Sequence, residues 1–117
     1  FRSRFWGGTP SIAPYVMASA SIQTLLDIGI PKVVRRNHEL KTCLLNSLPS
    51  GHVSRSVLDT LEKTGGSLCL KATKPSETIK LLQKNEVRFD QRNAIFRISL
   101  HVMNTQSEAE IIASCFN

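Results

Sequence analysis

The chain has 117 residues, 41% of them hydrophobic and 21% charged, with a formal net charge of +6. That length and balance suit one compact core rather than two, and no apolar run approaches membrane-spanning length. Three cysteines, Cys43, Cys69 and Cys115, form no close pair and no metal-ligand spacing, which predicts reduced, mostly buried thiols in the cytoplasm.

The first segment, Arg4-Phe5-Trp6-Gly7-Gly8-Thr9-Pro10-Ser11, reads as a loop running into a helix. Thr9 serves as N-cap and Pro10 as first helical residue, two glycines allow close backbone approach, and free amides at such a start suit a phosphate. The same pattern is also an ordinary loop-to-helix junction. In the helix that follows, Ile12, Tyr15, Val16, Ile22 and Leu26 recur at helical spacing, and Gly29 with Pro31 ends it. A second helix runs from about Pro31 to Leu48 with Val33, Leu40, Leu44 and Leu48 on one stripe, and Pro49-Ser50-Gly51 stops it.

Val53, Val57, Leu58 and Leu61 again have helical spacing. Gly65-Gly66 releases a strand over Ser67 to Ala72, with Leu68, Leu70 and Ala72 on one face. Thr73 and Pro75 begin a third helix bearing Ile79, Leu81 and Leu82. Val87 to Asp90 and Ala94 to Leu100 read as two strands joined by Gln91-Arg92-Asn93, a connection short enough for a hairpin. Thr105-Gln106-Ser107-Glu108 is a capping box, and Ile111, Ile112, Cys115 and Phe116 give the last helix an apolar face. The predicted class is α+β, a small antiparallel sheet with helices packed on one face.

Arg97 is the most informative residue. Alternation puts Phe96, Ile98 and Leu100 on the core face of its strand and Ile95, Arg97 and Ser99 on the other. A guanidinium is a planar fork of donors matched to a carboxylate, and a strand holds it rigidly. It suits either a carboxylate ligand or a structural ion pair with an Asp or Glu. His101, just beyond, could orient a substrate or shuttle a proton, or simply fill a surface turn. His38 and His52 have no partner at ligand spacing and read as surface residues. Lys32, Arg35, Arg36 and Lys41 cluster on the second helix, with Arg2 and Arg4 at the start, and a solvated helix face explains them. A nucleic-acid footprint is not expected, because aromatics are only 6% of residues and do not interleave with the basic ones.

The run Arg97-Ile98-Ser99-Leu100-His101-Val102-Met103-Asn104-Thr105, leading into Gln106-Ser107-Glu108-Ala109-Glu110-Ile111, resembles the C-terminal end of class V aminotransferase-like enzymes. These are pyridoxal-phosphate proteins of fold type I and include cysteine desulfurases, selenocysteine lyase, kynureninase and isopenicillin N epimerase. Their pattern is an arginine strand, a Tyr-Asn-Thr turn and an acidic final helix; Met103 stands here in the tyrosine's place. The Gly7-Gly8-Thr9 segment is similar to the family's glycine-threonine stretch, and the resemblance covers nearly the whole chain. It implies that Arg97 binds the α-carboxylate of an amino-acid substrate. It also implies that Gly8 and Thr9 contact the phosphate of pyridoxal 5'-phosphate across a homodimer interface, and it places an edge strand near Val57.

Val87-Arg88-Phe89-Asp90-Gln91-Arg92-Asn93 resembles the Asp-x-Arg hairpin of kynureninase-like and epimerase-like members. Desulfurases carry a longer loop with a nucleophilic cysteine there, so persulfide chemistry is disfavoured, and Cys69 and Cys115 read as core thiols. The family's Schiff-base lysine lies upstream of every position in this chain. The expectation is therefore a C-terminal small domain, residues 1–117, with 1–10 the junction from a missing large cofactor-binding domain. Such a segment belongs to a transferase or lyase but is not catalytic alone. The alternative is a non-catalytic basic interaction module with a repurposed fold.

Overall fold

The computed structural model describes residues 11–116, and the predicted junction 1–10, with Gly8 and Thr9, lies outside them. The elements follow as α1 (Ala13–Ile28), α2 (Ile30–Ser47), α3 (Arg55–Asp59), a 3-10 turn (Leu61–Lys63), β1 (Ser67–Lys71), α4 (Pro75–Lys84), β2 (Asp90–Arg92), β3 (Ile95–Ser99) and α5 (Gln106–Ser114). The fold is α+β, as the alternation and periodicity predict. The chain divides after Lys32 into two compact units.

In the first unit, α1 starts at Ala13 with Ile12 as N-cap, and Pro14 sits in its first turn, where a missing N–H and a fixed φ cost nothing. The helix therefore begins three residues later than a Thr9 cap would place it. No residue of α1 is buried, and Tyr15, Val16, Met17, Ile22 and Leu26 are all exposed. Periodicity located the helix, while the buried stripe it suggested is absent from the described residues. Gly29 ends α1 at φ +93°, a conformation that a Cβ disfavours, and its N–H donates to the Leu25 carbonyl.

The second unit is organised by its sheet, which is antiparallel with strand order β1-β3-β2. Leu68 pairs with Ile98 and Leu70 with Phe96, so β1 and β3 point their large apolar residues the same way. Those four side chains share one core with Leu40 and Leu44 of α2, Leu82 of α4, and Ala109, Ile112 and Ala113 of α5. Helices cover that face, while Cys69, Ile95, Arg97 and Ser99 are exposed on the other. Phe96 is fully buried, its ring 5.5 Å from Phe89 and 5.6 Å edge-on to Phe116.

Two local expectations are corrected. The segment around Val57 is the helix α3, not an edge strand, and Val57 and Leu61 pack against the core as their helical spacing requires. The free edge of β1 is met instead at one point: the Lys71 N–H donates to the His52 carbonyl at 2.7 Å, and the His52 Nδ1 lies 2.7 Å from the Lys71 carbonyl. The hairpin is also shifted. Gln91 and Arg92 belong to β2, Val87 to Phe89 do not, and the turn is Asn93-Ala94 with Asn93 at φ +55°. Asparagine tolerates that left-handed conformation, and the shift sets Asp90 directly opposite Arg97.

The capping box forms as predicted. Glu108 N–H donates to Thr105 Oγ1 at 3.2 Å, and Thr105 N–H donates to Glu108 Oε2 at 2.7 Å. Thr105→Ala removes one half of it and is expected to cost about 1 kcal/mol in urea unfolding. The Thr105 backbone bond, with side-chain bonds from Asn104 and Thr105, holds the Glu108 carboxyl below its ordinary value. A lowered folded pKa means the unfolded chain binds its proton first as pH falls. The stabilisation from Glu108 is thus present above the ordinary glutamate range and lost as pH drops through the folded value. Denaturation of Glu108→Gln against pH should show a shallower acid limb than the parent; an unchanged limb would contradict this.

Candidate functional site

Strand order makes β3 the centre of the open face, and register fixes its neighbours. Arg97 lies between Cys69 of β1 and Asp90 of β2, and Ile95 lies between Lys71 and Arg92. Arg97 Nη2 is 3.1 Å from Asp90 Oδ2, and the arginine side chain remains 60% exposed. Cys69, Asp90, Arg92, Ile95 and Arg97 line an open depression of about 280 Å³.

Of the two readings of Arg97, the structural ion pair is the one the geometry contains. The ion pair with an aspartate is present, and it uses one nitrogen of a group that carries five N–H donors. A carboxylate arriving from solvent can still take a parallel pair of the remaining donors. An exposed pair of this kind stabilises the fold by less than about 1 kcal/mol.

The other candidates are dispersed. His101 is exposed in the turn after β3, where its backbone N–H donates to Asn104 Oδ1 at 2.8 Å, and it does not line the depression. Gly8 and Thr9 lie outside the described residues. Cys115 is buried as expected, and burial pushes its thiol pKa up. Cys69 is exposed, contrary to the core role predicted for it, because it stands at an odd position of a strand whose even positions face the core. Cys43 is half-buried. Among the described residues no His, Cys, Asp and Glu group is placed to hold a metal ion.

His52 and Lys41 correct the expectation of surface residues. The His52 ring is buried 6.0 Å edge-on to Phe116, and its Nδ1 carries the proton, since the Lys71 carbonyl it meets can only accept. Lys41 is 3% exposed, and its ammonium donates to Thr64 Oγ1 at 2.8 Å, the Gly65 carbonyl at 3.1 Å and the Thr64 carbonyl at 3.2 Å. Desolvation lowers its pKa. Arg36 is also committed, its Nη2 donating to the Asn104 carbonyl at 3.0 Å. The basic cluster on α2 is therefore partly structural.

Arg92 was legible only as part of a hairpin. Its place beside Arg97 follows from the turn being Asn93-Ala94, which puts residues 90 and 92 on the same face as 95 and 97. The second unit is an α+β arrangement whose small antiparallel sheet leaves one charged face open. No protein-family model, no curated protein and no solved structure matches the chain. Among the described residues no helix is long and apolar enough to cross a membrane.

Proposed function

We propose that the chain is the C-terminal small domain of a cytoplasmic, homodimeric, class V pyridoxal-phosphate enzyme that acts on an amino acid as a transferase or lyase. The observation that carries this reading is the position of Arg97, mid-strand at the centre of the open sheet face, paired with Asp90 and bordering a depression open to small molecules. The sequence from Arg97 through the Thr105–Glu108 capping box supports it, because strand, turn and final helix follow in the order the resemblance requires.

The described residues suit the substrate's carboxylate rather than the cofactor itself. Residues assigned to the cofactor phosphate, Gly8 and Thr9, precede them. The one buried lysine, Lys41, is committed to Thr64 and Gly65 on the helix-covered side of the unit. Pyridoxal phosphate, when bound, supplies the electron sink for chemistry at the substrate's Cα. Arg97 fixes the carboxylate so that the bond to be broken is held in one orientation.

Protein expressed from the complete reading frame should be yellow, and borohydride should bleach the band. Arg97→Ala in that protein should raise the Michaelis constant for amino acids about ten- to a hundredfold, the worth of charge-assisted hydrogen bonds, and leave the absorbance intact. Because the ion pair with Asp90 contributes little to stability, an effect of that size does not arise from unfolding. A colourless protein that pyridoxal phosphate does not reconstitute, binding oligonucleotides in a salt-sensitive manner regardless of Arg97, would establish the basic interaction module instead.

A further inference from the structure

The charges on the open sheet face do not balance. Lys71, Arg92 and Arg97 share it with Asp90, and the recorded ion pair there joins Asp90 to Arg97. Arg92 stands opposite Ile95, diagonal to Arg97, so the two arginines are roughly 7–8 Å apart with their Cβ atoms somewhat closer. Both line the same depression, with the half-exposed Ile95 as its floor. Two arginines bordering one opening that holds a single carboxylate leave room for more negative charge. Since Asp90 already offsets Arg97 in part, Arg92 is the stronger unmet cation of the two.

We infer that the depression accepts a ligand with two carboxylates and that Arg92 binds the second, which makes the preferred substrate a dicarboxylic amino acid. This rests on the reading of Arg97 as the α-carboxylate group. The span between the two arginines fits it: each guanidinium is carried on a flexible stem, and the α-carbon with one or two methylenes separates the carboxylates of such an amino acid. A neutral side chain would leave Arg92 without its partner and gain only contact with Ile95. Lys71, on the far side of Ile95, lies outside the lining of the depression and adds to the field rather than to the contact.

The test is calorimetric titration of protein from the complete reading frame with L-glutamate and L-glutamine, which differ only in the second carboxylate. L-Aspartate and L-asparagine form the shorter pair. In at least one pair the acid is expected to bind about ten- to a hundredfold more tightly than its amide. Arg92→Gln should abolish that preference, leave the amide's affinity unchanged and keep the thermal midpoint of the parent. Equal affinities for acid and amide in both pairs, no binding of any of the four, or an equal loss for acid and amide in Arg92→Gln would overturn the inference. Arg97→Ala separates the two readings: it should weaken acid and amide alike, and unchanged binding of both would remove the α-carboxylate assignment on which the inference stands.

Discussion

Phe96→Ala should destabilise the second unit by about 3–5 kcal/mol. Phe96 is fully buried on the central strand, with the rings of Phe89 and Phe116 both packed against it. Truncation removes the ring's transfer free energy and both aromatic contacts, and it leaves a void under the sheet that rigid strands cannot close. Whole domains are stable by only about 5–15 kcal/mol, so this loss takes up much of the total. Denaturant titration followed by circular dichroism reads the change directly. A loss below about 1.5 kcal/mol would show that the core is not organised around β3. Phe96→Leu, which keeps most of the volume, should recover the greater part.

Lys41→Met should cost about 1–3 kcal/mol, although it replaces a buried charge with an apolar side chain of similar length. The sign depends on which of two terms is larger. Relief of the ammonium's desolvation favours methionine, and replacing buried ionic groups by hydrophobic ones is often harmless. Here, however, the ammonium serves the Thr64 and Gly65 carbonyls and the Thr64 hydroxyl just after the 3-10 turn, where backbone dipoles favour a cation. Methionine leaves those acceptors facing a thioether, and unmet hydrogen-bonding groups outweigh the relief.

The pH dependence gives Lys41 a second signature. Its folded pKa is lowered by burial, so in the alkaline range between that value and the ordinary lysine value the unfolded chain binds the extra proton. Stability of the parent relative to Lys41→Met should rise with pH through that window. A difference that stays flat to the top of the range would mean that the ammonium keeps its ordinary pKa.

Much of the fold could be read along the chain because its signals are local. β1 and β3 alternate, α4 and α5 have periodic faces, and the Thr105 capping box is four consecutive residues; each appears where predicted. The misreadings at Lys41 and His52 concern what a residue meets across space. Lys41 sits between Leu40 and Leu44 on the apolar stripe of α2, and its partners lie more than twenty residues away. A long aliphatic stem can be buried as readily as leucine when its end finds carbonyls. His52 looked like a loop residue because the edge it serves is formed by Lys71.

The candidate site shows the same division. Alternation places Arg97 on the open face, but Asp90 and Arg92 join it only once the register of the hairpin is known. That register turns on Asn93 accepting a left-handed conformation. Moving the turn by one residue would send Asp90 and Arg92 to the opposite face and leave Arg97 without its aspartate.

The contact between His52 and Lys71 bears on how this protein avoids sticking to itself. A strand on the outside of a sheet carries a row of unused donors and acceptors that invites another chain to pair with it. At Lys71 the outward N–H and carbonyl are both taken, one by the backbone and one by the imidazole of a single residue. What remains of that side of β1 is Ser67 to Leu70, and β2 on the opposite side has only three residues in all. Both borders are short, which limits the row of free donors and acceptors that either edge offers to another chain.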